Sequence, residues 1–343
     1  MNQTLNNLFN RGSKFLGSRF PIMGGAMSWV SESNLVAAIS NAGGFGIIAC
    51  GSMTSDQLKN EINKTKKKTT KPFGVNLILV HPQIDELFNA CFESEVEFII
   101  LAGGFPKKSQ ILRLKEKNIK TIAFASTLLV GEKLIKNGID ALIIEGNEAG
   151  GHIGPVSSLV LAQEILPNIN KVPVFVAGGI GRGEIFLNYL NLGASGCQIG
   201  TRFVCATESI AHIKFKEAFI RSEARNSKVS IQLDDRLPVI PVRAIENEAS
   251  KEFVETQKKN LLLLDKGEIS LKEAQLNVEK FWAGSLKRAV IDGDIVKGSL
   301  MAGQSVSLVK KIQPVTEIIN EIISQAELQI KNSKLNEVEK NEL

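Results

Sequence analysis

Between residues 19 and 204 two kinds of hydrophobic pattern take turns along the chain. Short runs that are apolar at consecutive positions, and rich in Ile and Val, occupy 20–24, 46–49, 73–79, 98–101, 121–124, 141–144, 174–177 and 196–199. Between them, apolar residues recur at three- and four-residue spacing over 33–41, 55–64, 84–92, 109–117, 127–136, 157–165 and 183–192. An unbroken apolar run suits a strand covered on both faces; a 3.6-residue period suits a helix with one buried stripe. Strands that alternate with helices pair in parallel through right-handed crossovers. Eight such strands favour a closed α/β fold, the (β/α)8 TIM barrel, over an open doubly wound sheet.

The pattern changes after residue 203. Over 209–275 the alternation fades, and charged helix-like stretches flank a break at Leu237-Pro238-Val239-Ile240-Pro241. This predicts a smaller, mainly helical elaboration beside the barrel mouth. Small residues return at Gly298-Ser299-Leu300-Met301-Ala302-Gly303-Gln304, and a helix-period segment follows over 315–330. The expected organisation is a barrel over 16–208, a substrate-side elaboration over 209–305, a helix closing on the barrel over 306–330, and a charged, frayed tail over 331–343. Residues 1–15 are polar and Asn-rich, without the apolar core of a signal peptide. No run reaches the length of a membrane span. A cytoplasmic protein is expected, without a membrane partner.

Composition narrows the class. With 43% hydrophobic and 22% charged residues, the chain can bury a sizeable core. A net charge of +5 helps an anionic ligand bind but does not make a nucleic-acid protein. The densest basic run, Lys64-Thr65-Lys66-Lys67-Lys68, has no interleaved aromatics and reads as the end of a surface helix. The cysteines, Cys50, Cys91, Cys197 and Cys205, show no CxxC spacing and read as reduced thiols. Three scattered histidines and no HExxH argue against zinc.

The strongest chemical signal follows the apolar run 141–144. It is Glu145-Gly146-Asn147-Glu148-Ala149-Gly150-Gly151-His152-Ile153-Gly154. Glycine lets backbone approach a ligand, and His moves protons near neutral pH. Glycines also follow other strands, at Gly24-Gly25, Gly103-Gly104, Gly178-Gly179 and Gly200. A barrel gathers all strand C-termini on one face, where its active site sits. The last two strands end in Ala177-Gly178-Gly179-Ile180 and Gly200-Thr201-Arg202. These are the loops that commonly bind a phosphate in barrels, through backbone N–H groups. Met23 and Met27, around Gly24 and Gly25, offer polarizable packing for a planar ring, and Asn76 offers both donor and acceptor. Each feature alone also fits an ordinary turn or core strand. No GxGxxG lies in a βαβ context, so a Rossmann fold is not expected.

In this order, Pro21 to Ala26, Ser40 to Gly46, Lys71 to Asn76, Glu145 to Gly154, Ala177 to Ile180, Gly200 to Phe203 and Gly298 to Gln304 resemble the FMN-dependent nitronate monooxygenase family. These enzymes were formerly called 2-nitropropane dioxygenases, and the family includes the flavin-type enoyl-acyl-carrier-protein reductase. The resemblance covers about 19–325. It implies an FMN at the barrel mouth, its phosphate on Gly178, Gly179, Gly200 and Thr201, and its ring near Met23, Gly24, Gly25 and Asn76. Glu145 falls on an acidic position near the ribityl chain, with Gly151 and Ala177 beside the cofactor and Gln304 returning toward it. His152 falls on the catalytic histidine. Some relatives carry a lysine at the end of the fifth strand; Ala123-Phe124-Ala125-Ser126 lacks it.

Two reactions follow from this resemblance. As a monooxygenase, the protein would take a small nitroalkane or nitronate, with His152 as base and neutral within apolar packing, to a carbonyl compound and nitrite. As a reductase, it would use NAD(P)H to reduce an enoyl thioester or a quinone. A flavin-free barrel is a third reading, and a homodimer is compatible with all three. His81 reads as a loop residue and His212 as solvated at a helix start; Trp282 reads as a core residue, with a wall of the substrate pocket as the alternative.

Overall fold

The computed structural model describes residues 2–237 and 241–341; the side chains of 279, 282, 283 and 334–341 lie outside that description. Two expectations therefore fall outside it: the conformation of Pro238, Val239 and Ile240, and the placing of the Trp282 ring.

Each apolar run becomes a strand. They are β1 (Ile22–Gly24), β2 (Gly46–Ala49), β3 (Phe73–Ile78), β4 (Phe98–Ala102), β5 (Lys120–Phe124) and β6 (Ala141–Glu145). A two-residue strand, β7 (Gly151–His152), comes before β8 (Val174–Ala177) and β9 (Gly196–Ile199). All but β7 form one parallel sheet in the order β1-β9-β8-β6-β5-β4-β3-β2. The sheet closes where Phe45 N donates to Ile22 O at 2.9 Å and Gly24 N donates to Phe45 O at 2.8 Å. The result is a (β/α)8 barrel.

Side chains alternate in and out along each strand. Val75, Leu77, Ile144, Val176, Cys197 and Ile199 pack outward against the helix layer. Phe45, Ile47, Phe98, Ile100, Ile122, Ile143 and Phe175 fill the interior. Phe45 meets Phe98 edge-on at 4.9 Å between centroids. The Asn-rich N-terminus is a helix, Gln3–Leu16, which its sequence did not suggest. Its apolar residues are few but fall on one face, where Leu5, Phe9 and Leu16 are buried. Leu16 joins the barrel interior, and Phe15 sets its ring edge-on to Phe98 at 5.9 Å. This helix plugs the N-terminal end of the barrel and leaves the opposite end for chemistry.

The elaboration is not simply helical. β10 (Ser227–Val229), β11 (Val242–Ile245) and β12 (Leu300–Met301) form a small antiparallel sheet, and β7 joins it by pairing with β11. Strands this short carry no readable period. Helices Glu248–Asp265 and Leu271–Val290 cover the sheet, with Leu237, Val242, Phe253, Ala274 and Val278 as a separate core. The C-terminal helix Val315–Asn341 begins at the expected position and lies against helix Gly183–Asn191, so closely that a Cβ at Gly183 would stand 1.9 Å from Ile322 O. Among the described residues, no helix is long and apolar enough to cross a membrane.

Candidate active site

Parallel register brings four inward-facing residues into one row at the open end of the barrel. Met23 pairs with Gln198, Gln198 with Ala177, and Ala177 with Glu145. Their strand neighbours Cys197, Ile199, Val176 and Ile144 belong to the outer core, so these four must face the axis. Asn76 of β3 faces inward on the other side, and its amide donates weakly to Ile100 O at 3.4 Å.

Gln198 was not singled out by sequence reasoning. It is 6% exposed, and its Oε1 has no hydrogen-bond partner among the described residues. Leaving a buried amide oxygen unmatched costs roughly 1–3 kcal/mol. The signal was present as a lone amide inside the buried run Gly196-Cys197-Gln198-Ile199. Glu145 is half-buried, and its carboxyl makes no hydrogen bond or ion pair with another described residue. Desolvation pushes its pKa up to about 8, so it holds its proton at neutral pH and can donate a hydrogen bond.

Bare backbone lies beside this row. Gly178 and Gly179 both have positive φ, +94° and +70°. A Cβ would stand 3.0 Å from Gly146 O at the first and 3.3 Å from Glu148 Cβ at the second. Gly24 packs on Ile39, and a Cβ at Gly25 would reach Gly200 Cα at 3.1 Å. Gly25 N donates to Ile199 O at 2.8 Å. Gly200 leads into a one-turn helix, Thr201–Val204, and Thr201 Oγ1 accepts from Gly303 N at 3.1 Å. The ends of β1, β8 and β9 therefore converge as a side-chain-poor wall.

The His152 loop is held from outside the barrel. On β7, His152 pairs with Val242 and Gly151 with Arg243, both of β11. Ile153 N donates to Pro241 O at 2.9 Å. Gly150 rests against the 302–303 backbone, where a Cβ would come within 2.6 Å of Gly303 N. Gln304 N donates to Glu148 O at 2.9 Å, which ties the returning segment to the loop. Arg243 is 6% exposed; its Nε donates to Asn147 O and its guanidinium NH1 to Ser227 O, each at 2.7 Å.

Some expectations need correction. The His152 ring is exposed rather than enclosed in apolar packing, because β7 lies at the rim and not in the barrel wall. In the same loop the Glu148 carboxylate accepts from Ser158 N at 3.0 Å and Ser158 Oγ at 3.1 Å at the start of helix Ser158–Ile165. His212 is half-buried, not solvated; its Nδ1 accepts from Lys214 N at 3.2 Å and caps helix Ile213–Arg221. His81 is a loop residue whose Nδ1 accepts from Gln83 N at 3.1 Å. The four cysteines are buried free thiols, and burial pushes Cys50 up to about 12. At the end of β5, where some relatives have lysine, Phe124 packs on the interior core.

A family model described as nitronate monooxygenase matches residues 10–93 and 85–325. The chain belongs to the nitronate monooxygenase family. It is similar to proteins that carry different names. The structure of FabK from Thermotoga maritima superposes with a TM-score of 0.84 at 34% identity, over 97% of this chain and 99% of that one. A probable nitronate monooxygenase of Staphylococcus saprophyticus is 31% identical over 70% of this chain and 79% of its own length. A Rhodococcus jostii protein, named as a dehydrogenase of a hydroxy-methyl-oxo-octahydroindene carboxyl-CoA, is 28% identical over 92% and 94%. This member of the nitronate monooxygenase family is an oxidoreductase.

Proposed function

We propose that this protein is an FMN-dependent nitronate monooxygenase with His152 as its catalytic base. The observation that carries the reading is the unmatched, buried Gln198 amide, in one row with Met23, Ala177 and Glu145 and beside the glycine wall. That set fits a flavin. The planar ring needs an apolar face and a few polar contacts at its edge, which Met23, Gln198 and Asn76 supply. The phosphate needs backbone donors without obstructing side chains, which Gly178, Gly179 and Gly200 supply with the Thr201 hydroxyl. Gly24 and Gly25 continue the wall along the ring, while Gly151 and Gln304 border the mouth. Glu145, protonated, would donate a hydrogen bond rather than place a negative charge against the cofactor. Bound there, FMN would supply the two-electron chemistry, with dioxygen as final acceptor.

The remaining work belongs to the chain. His152 stands at the rim on β7 and can reach outward to substrate. It would accept the α-proton from the carbon bearing the nitro group, or orient a nitronate formed beforehand. The products would be a carbonyl compound and nitrite. Anaerobic stopped-flow tests the reading. Rapid bleaching of the bound flavin by an alkyl nitronate, with slow bleaching by NADH and NADPH, is expected; the opposite order defeats it. Purified protein without flavin absorbance would defeat the cofactor assignment itself.

One observation favours a second reading. The Rhodococcus jostii relative aligns over nearly its full length and is named for a CoA thioester. An exposed His152 also leaves room at the rim for so large a group. NAD(P)H would then be the reductant, an enoyl thioester the acceptor, and the same stopped-flow experiment would show it.

A further inference from the structure

We propose that Arg243 is a positioning residue, which sets the placing of His152 from the elaboration rather than from the barrel. The inference rests on the reading of His152 as the residue that meets substrate. The loop that carries His152 is tied within itself at its start, where Asn147 N donates to Val156 O at 2.8 Å and Ala149 N to Gly146 O at 3.1 Å, but glycines flank the histidine. The loop holds Gly146, Gly150, Gly151 and Gly154, and Gly151 has a φ of +82°. Glycine-rich backbone loses much conformational freedom when it is fixed in one shape. Something must fix it, and β6 ends at Glu145, seven positions before the histidine.

Arg243 holds the loop at two points. Its main chain lies opposite Gly151, next to His152, through the β7–β11 pairing. Its side chain crosses to Asn147 O, on the other flank of the glycines, while NH1 holds Ser227 O of β10. One residue thus ties both Asn147 and Gly151 to the small antiparallel sheet. The guanidinium is buried, with Glu148 as its nearby opposite charge. A planar fork holds its donors apart in fixed directions, toward two separated carbonyls; an ammonium on a flexible stem presents its three donors from a single point and fixes that spread less well. A residue needed only to pack β11 could be apolar, as its neighbours Val242 and Ala244 are.

The test uses holoenzyme with an alkyl nitronate as substrate. The variants are Arg243→Ala, Arg243→Lys and His152→Ala, each followed by flavin absorbance, melting temperature, kcat and KM. Arg243→Ala is expected to keep its flavin and to lose at least about tenfold in kcat, with about twofold change or less in KM. Guanidinium ion at low millimolar concentration should restore part of that kcat in Arg243→Ala and none in His152→Ala. Arg243→Lys should melt with the wild type yet turn over several-fold more slowly, which keeps the idea testable if the alanine variant does not fold. Wild-type kcat in Arg243→Lys, or a loss in Arg243→Ala that guanidinium leaves untouched, would overturn the positioning role. Unchanged turnover in His152→Ala would instead overturn the reading of the site on which it rests.

Discussion

Replacing Glu145 with glutamine should make the cofactor-free protein more stable in base than in acid, relative to wild type. Burial raises the carboxyl from 4.5 to about 8. At about 1.4 kcal/mol per pKa unit, that rise corresponds to roughly 5 kcal/mol between the two protonation states. The side chain is only half-buried, so solvent screens part of this, and about 2 kcal/mol is the expected effect. The sign follows from proton counting. Between pH 4.5 and about 8 the native state keeps a proton that the unfolded chain releases, so stability falls as pH rises through that window. Above it both states are ionised and the loss is complete. Glutamine fills the same space and does not titrate. Urea unfolding of flavin-free wild type and Glu145→Gln, at about pH 4.5 and about pH 8.5, gives the comparison through the two midpoints. The variant should gain about 2 kcal/mol on the wild type between those conditions. Parallel pH curves for the two proteins would refute the claim that Glu145 is desolvated without a partner.

His152→Ala should leave flavin absorbance intact and cut turnover of neutral nitroalkanes by about a hundredfold or more, with a smaller loss for preformed nitronates; equal loss on both substrates would argue against a base. Gly178→Ala should weaken flavin retention at least tenfold, because a Cβ meets Gly146 O at 3.0 Å and φ is +94°; equilibrium dialysis of FMN measures it. Gln198→Leu should stabilise the flavin-free protein by about 1 kcal/mol, by removing an unmatched buried amide, while weakening FMN binding; calorimetry of both forms tests the opposed effects. Phe98→Ala should cost about 3–5 kcal/mol in any form of the protein, since the ring is buried against Phe45 and Phe15; denaturant unfolding is the measure.

The barrel was legible because its strands are apolar on both faces. Ile143 points inward and Ile144 outward, and both must be hydrophobic, so the run stands out from the helices around it. The glycine-rich ends of the strands were legible for a related reason: close backbone packing excludes side chains at Gly178 and Gly150 whatever else the site does. Gln198 was hidden because one polar residue in a four-residue run looks like an interruption, and only the register shows that it shares a row with Glu145. The small sheet was hidden because its pairing is entirely non-local. Val242 meets His152 across an interval that holds β8, β9, β10 and the helices between them, and nothing near either residue announces the other. The exposure of His152 follows from that pairing, which is why apolar surroundings were wrongly expected for it.

The separation between floor and roof bears on how such a scaffold changes its chemistry. The wall beneath the mouth comes from parallel strands locked into one closed hydrogen-bonded ring, where each strand is held by the strand on either side. Above it, β10, β11 and β12 with their two helices have a core of their own, and meet the barrel's outer core through Ile245, Leu300, Ala289 and Val290. Drift in that upper module can reshape what enters and how the imidazole meets it, without unsettling the base below. Relatives with unlike names are what such an architecture permits, and the residues that decide among their reactions should be sought overhead.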